Sequence, residues 1–146
     1  MMTTIEINKR LARRWLELFS RHRIDELCAM TAPEWMMRGG PPSMPCGAAG
    51  VREMFRAIGP VKQRWIVEDM IAEGDKVVVR AFNYCEQESF CGLRGKGIVQ
   101  KYSATFIFRF RDGLVVDTWR HADDLGRIIQ LGGRIAPAPR AAAYFS

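Results

Sequence analysis

VKQRWIVEDMIAEGDKVVVRAFNYCEQE, residues 61–88, is where the period of the chain changes. Upstream of it, apolar residues recur at helical spacing. Within it, β-branched and aromatic residues run in two stretches separated by Glu73-Gly74-Asp75, which predicts two strands joined by a tight turn. The same pattern returns in KYSATFIFRFRDGLVVDTWRHAD, residues 101–123, with a second hairpin turning at Asp112-Gly113. FCGLRGKG, residues 90–97, lies between the two and is expected to be a glycine-rich loop.

Working back towards the N-terminus, IEINKRLARRWLELF places Ile7, Leu11, Trp15, Leu18 and Phe19 on one stripe, with basic residues opposite. An amphipathic helix on a core follows. RHRIDELCAM reads as a second short helix, and TAPEWMMRGG as the segment that breaks it at Pro33. GGPPSMPCGAAG, residues 39–50, is expected to be loop. AAGVREMFRAIG gives a third helix, closed at Gly59-Pro60. Helices first and long antiparallel hairpins afterwards predict an α+β fold, with the helices packed on one face of a curved sheet of about four to six strands enclosing one dominant apolar pocket.

The 146 residues are read as one domain, 1–146, with a core over about 5–133 and a tail over 134–146. No apolar run is long enough to span a bilayer and no secretory leader precedes the first helix, so a cytoplasmic protein without membrane association is expected. Cys28, Cys46, Cys85 and Cys91 fit no zinc spacing and are expected to be reduced thiols. The net charge of +6 is concentrated in Arg10, Arg13, Arg14, Arg21 and Arg23. No nucleic-acid-binding signature accompanies it. A solvated helix face is one reading of this charge, and a docking face for an acidic protein is the other. There is no phosphate loop, no HExxH spacing and no Ser-His-Asp order, so neither cofactor nor metal is expected.

The chemistry-bearing stretch is WRHADDLGRII, residues 119–129. If it begins as a strand, Asp117, Trp119, His121 and Asp123 share one face, and Thr118, Arg120 and Ala122 the other. Trp119 argues that its own face is the inner one. His121 and Asp123 would then flank a substrate as catalytic acid and base. A histidine held in a hydrogen-bond network without a catalytic role is the alternative for His121. One of Asp123 and Asp124 is expected to cap the helix that follows. The cap is assigned to Asp124 and the pocket to Asp123, with the reverse assignment open. Candidate substrate contacts are Trp119, Trp35, Met37, Tyr84, Glu86, Gln87, Trp65 and Phe106. Tyr102, Ala104, Phe106, Phe108 and Phe110 form an apolar face suited to core, and His22 is expected to be exposed.

GAAGVREMF, VEDMIAEGDKVVVR, FRFRDGLVVDTW and ADDLGRIIQLGG, in this order and spacing, resemble the nuclear transport factor 2-like superfamily and, within it, the SnoaL-like polyketide cyclases. The resemblance runs from Trp15 to about Gly133. It implies a conical fold, a strongly curved antiparallel or mixed sheet wrapped around N-terminal helices, and a deep, cofactor-free and metal-free pocket. It also implies a homodimer or higher homo-oligomer formed through the outer sheet face.

The activity implied is ring closure of a polyketide-like substrate by an intramolecular aldol step, as in antibiotic biosynthesis. Isomerisation or dehydration of a polycyclic substrate, or small-molecule binding without catalysis, are the alternatives. An acyl carrier protein presenting the substrate would suit the arginines of the first helix. In this branch an acid four residues after the last-strand tryptophan serves as acid/base, which is Asp123 here. The branch histidine before the glycine-rich loop is replaced by Glu86 or Gln87, depending on register. Epoxide-hydrolase relatives carry an acid two residues after the tryptophan, where this chain has His121.

Overall fold

The computed structural model describes residues 1–137, so most of the expected tail lies outside the described residues. In chain order the elements are α1 (Thr4–Ser20), α2 (Ile24–Ala29), β1 (Thr31–Arg38), α3 (Gly47–Ile58), β2 (Val61–Glu73), β3 (Lys76–Gln87), β4 (Ser89–Phe90), β5 (Leu93–Arg94), β6 (Gln100–Arg111), β7 (Leu114–Ala122) and α4 (Asp124–Gln130). Five strands form one mixed sheet in the order β1-β7-β6-β3-β2, and β4 pairs only with β5. Among the described residues, no helix is long and apolar enough to cross a membrane.

A capping box opens α1. The Thr3 hydroxyl accepts from the Glu6 amide at 3.2 Å, and Glu6 Oε2 accepts from the Thr3 amide at 2.7 Å, satisfying two donors that the first turn leaves over. The buried stripe of α1 is Asn8, Ala12, Trp15, Leu16, Leu18 and Phe19. Ile7, expected on that stripe, is 41% exposed, because the buried stripe begins one residue later, at Asn8, and turns Ile7 to the side.

Two sequence expectations are corrected. The segment around Pro33 is a strand, β1, running parallel to β7. Proline has no amide to donate, and β1 tolerates it because it is an edge strand whose register with β7 is interrupted between Thr31 and Met36. The glycine-rich stretch is in part a hairpin, with Ser89 opposite Arg94 and Phe90 opposite Leu93. Its two turn residues, Cys91 (φ 50°) and Gly92 (φ 78°), both lie in the left-handed region that a two-residue turn of this hand requires.

The helices pack on one face of the sheet and curl it. α1 lies on β2 and β3, while α3 lies on β1 at the opposite edge. The space between is filled with rings. Trp15 stacks on Phe19 at 5.6 Å and meets Phe108 at 5.3 Å, and Phe19 meets Phe55 at 5.2 Å. Removing each such side chain from water contributes on the order of 2–3 kcal/mol.

Candidate functional site

Which residues face the interior is settled by the pairing of β6 with β7. Phe108 lies opposite Thr118, Phe106 opposite Arg120 and Ala104 opposite Ala122. Phe106 and Phe108 are core. Thr118, Arg120 and Ala122 are therefore the inner set, and Asp117, Trp119 and His121 the outer set. This reverses the facing expected from the sequence. The cause is a one-residue irregularity between Arg109 and Phe110, which leaves Val115 and Val116 both buried and turns every later side chain to the opposite face.

The consequences for the expected residues are direct. His121 is exposed on the outer face, opposite Thr105. Trp119 is half-buried on that face, beside Ile107 and Arg38. Asp123 is exposed and caps α4, its Oδ1 accepting from the Gly126 amide at 2.9 Å. The cap and pocket assignments of the two aspartates are thus exchanged: Asp124 turns back to Arg120. Tyr84 is 39% exposed on the outer face, edge-on to Phe82 at 5.5 Å. Trp35 is fully buried in the core, with its indole Nε1 donating to Thr118 Oγ1 at 3.0 Å, and so does not stand at a pocket mouth. Met37 packs against the core and borders a small recess of about 130 Å³ beside Met44 and Pro41.

The remaining expected residues, Trp65, Phe106, Glu86 and Gln87, meet a polar track that runs through the interior. Tyr102 is its centre. The Asn83 amide Nδ2 donates to the Tyr102 hydroxyl at 3.0 Å, and Asn83 is itself fully buried. Trp65 stands edge-on to both Tyr102 (5.6 Å) and Phe106 (5.0 Å), forming an aromatic wall. The Arg127 guanidinium lies 4.5 Å from the Tyr102 ring centroid and 3.5 Å from that of Phe90. Arg127 donates from Nε to Gln100 Oε1 at 3.0 Å and from Nη2 to Gln87 Oε1 at 2.7 Å. Gln87 is fixed in turn by donating to the Ile58 carbonyl at 2.8 Å. Gln87 thus turns inward to Arg127, whereas Glu86 stands opposite Lys62 in the β2–β3 register and lines a cleft with it.

On the other side of Tyr102, Arg120 and Asp124 form a bidentate pair, Nη1 to Oδ2 at 2.9 Å and Nη2 to Oδ1 at 2.8 Å. Burial works against the Arg120 charge, but the hydrogen bonds and attraction of Asp124, with Tyr102 adding to them, raise its pKa. The hydrogen bonds from Arg120 hold the Asp124 carboxyl below its ordinary range, against the opposing effect of burial. Arg127 reaches Asp124 only at 3.8 Å. Two guanidiniums thus share one carboxylate beside Tyr102.

The track opens on a cleft of about 580 Å³ lined by His22, Lys62, Glu86, Gln87, Glu88 and Lys96. His22 is not simply exposed: its Nε2 is buried without a hydrogen-bond partner, and its ring packs on Phe55 at 5.3 Å. A second cleft, of about 520 Å³, opens between α1 and β2 beside Trp65. The single dominant pocket expected from the sequence is corrected to two comparable clefts, because aromatic rings occupy the middle of the cone. Among the described residues, no group of three or more His, Cys, Asp or Glu is gathered as a metal site.

Sequence reasoning missed Tyr102, Asn83, Arg120, Arg127 and His22 as site residues. The run Tyr102-Ala104-Phe106-Phe108 carried the signal for the first of these, since its alternation marks the inner face on which Tyr102 lies.

Residues 12–118 match the family model described as SnoaL-like domain, and the chain belongs to that family. Its fold is similar to that of TsrD from Streptomyces laurentii, at 24% identity over 92% of this chain and 100% of that one, with a TM-score of 0.78. It is similar also to a SnoaL-like polyketide cyclase from Agrobacterium tumefaciens, at 20% identity over 90% and 100% of the two chains, with a TM-score of 0.73. An LEH-like epoxide hydrolase from M. tuberculosis shares the fold at 14% identity over 88% and 92% of the chains, with a TM-score of 0.68. No curated protein matches the sequence.

Proposed function

We propose that this SnoaL-like protein is a small-molecule tailoring enzyme of the polyketide cyclase type, working by acid/base chemistry without a cofactor. The observation that carries this reading is the environment of Tyr102, a buried phenol between two guanidiniums. Aldol ring closure removes a proton from a carbon next to a carbonyl and delivers one to the accepting carbonyl oxygen. The Tyr102 hydroxyl accepts from Asn83, which leaves its own proton free to be donated to that oxygen. Arg127 and Arg120 favour negative charge developing there. His22, which lines the larger cleft and whose buried Nε2 has no partner in the chain, is the candidate proton acceptor. Asp124 is a poor base, because Arg120 holds it ionised.

Ligand binding without turnover is the second reading. It is favoured by His121 facing solvent and by Asp123 being committed to the α4 cap, which together remove the acid/base pair expected from the last strand. One experiment separates the two. A synthetic aryl 1,3-diketone is incubated in D₂O, and exchange at the carbon between its carbonyls is followed by NMR. The enzyme reading expects acceleration over buffer, reduced by roughly 10²-fold in Tyr102→Phe. Binding without any acceleration establishes the second reading.

A further inference from the structure

We propose that the groove between α1 and β2 is a binding site of its own, for an amphipathic organic anion with a flat apolar body and a phosphate or carboxylate at one end. The groove encloses about 520 Å³ and is floored by Leu16, Val67 and Trp65. Its rim carries three arginines, Arg13 and Arg21 from the helix and Arg64 from the strand. The one carboxylate lining it, Glu17, is already engaged by Arg14 at 3.2 Å and by Arg21 at 3.4 Å. Arg13 and Arg64 are both exposed and meet no carboxylate among the described residues. Two guanidiniums held by no carboxylate therefore border the apolar floor, Arg13 from α1 and Arg64 from β2.

The polar groups of the wall point the same way. The Ser20 hydroxyl oxygen accepts from the Trp65 amide at 3.2 Å, so its proton is free to be donated. The Trp65 indole Nε1 is a buried donor without an acceptor in the chain. A donor-rich, positively charged rim over an apolar floor fits a ligand that is rich in acceptors at one end and apolar at the other. The groove shares Trp65 with the Tyr102 site, but its arginines lie outside that site, so different variants test the two.

1-Naphthyl phosphate and 1-naphthoate are the anionic probes, and 1-naphthol the neutral one, each titrated by calorimetry. Both anions are expected to bind, and 1-naphthol at least roughly tenfold more weakly, the part of the affinity that the charged end supplies. Arg13→Glu with Arg64→Glu, both on exposed positions, should weaken the anions by roughly tenfold or more, and raised salt should do the same. A matched reversal at the other cleft, Lys62→Glu with Lys96→Glu, should leave binding within about twofold, and Tyr102→Phe should weaken it by less than the arginine reversal does. If only the phosphate binds, the ligand is an organic phosphate; if only the naphthoate binds, it is a carboxylate; either supports the site. The proposal is overturned if neither anion binds at about 5 mM, if 1-naphthol binds equally well, or if the reversal at the other cleft is the one that abolishes binding.

Discussion

The guanidinium of Arg120 grips the carboxylate of Asp124 through two near-parallel hydrogen bonds of 2.9 and 2.8 Å, tying the end of β7 to the first turn of α4. Both side chains are partly exposed, at 31% and 41%. Solvent therefore screens the pair, and Asp124→Asn should cost about 1 kcal/mol at neutral pH. Because the carboxyl is held below its unfolded value by Arg120, this stabilisation is fully present above about pH 4 and is lost as pH falls through the lower folded value. Urea unfolding of the two proteins across pH should show their difference shrinking only in that acidic window. A gap that is the same at every pH would contradict the pairing.

At the neighbouring position the expectation differs. Asp123 serves α4 through its side-chain oxygen, which asparagine also provides. Asp123→Asn should leave the melting temperature nearly unchanged, and Asp123→Ala should lose about 1 kcal/mol. Equal losses in the two variants would show that the charge, and not the cap, is what matters.

The four thiols are free and should differ in reactivity. Cys85 is 2% exposed, and burial raises its thiol pKa against the opposing pull of Arg127. Cys46 and Cys91 are exposed. At neutral pH a thiol reagent should modify Cys46 and Cys91 rapidly, and Cys85 only after denaturant is added. Mass spectrometry of the folded protein decides this, and rapid labelling of Cys85 would count against its packing beside Arg127.

Glycine 50 tests how tightly the Gly/Pro loop closes on α3. A Cβ there would lie 2.2 Å from the Pro45 carbonyl oxygen and 3.1 Å from the Trp35 ring. Helix propensity alone favours Gly50→Ala by up to about 1 kcal/mol. The clash with backbone should prevail and make the variant less stable by about 1–3 kcal/mol. A stabilised Gly50→Ala protein, seen in its denaturant midpoint, would mean that the loop moves freely.

Much of the fold was legible because its determinants are local. The turn residues Gly74 and Asp112-Gly113 lie between alternating strands, and the spacing of Trp15, Leu18 and Phe19 marks a helix face. Pairing over long range was not legible. Residues 31–38 carry a proline and read as a breaker, and they become a strand only because β7 offers a parallel edge far along the chain.

The candidate site shows the same division within a single strand. The sequence alone determined that alternate residues of 114–122 share a face, and that an aspartate at 123 or 124 caps the helix. It did not determine which face turns inward. That was decided by the irregularity opposite Arg109 and Phe110, where burying Val115 and Val116 together shifts the register by one residue. A strand has a side-chain period of two, so one residue of slip sends His121 and Trp119 outward and brings Arg120 to Tyr102.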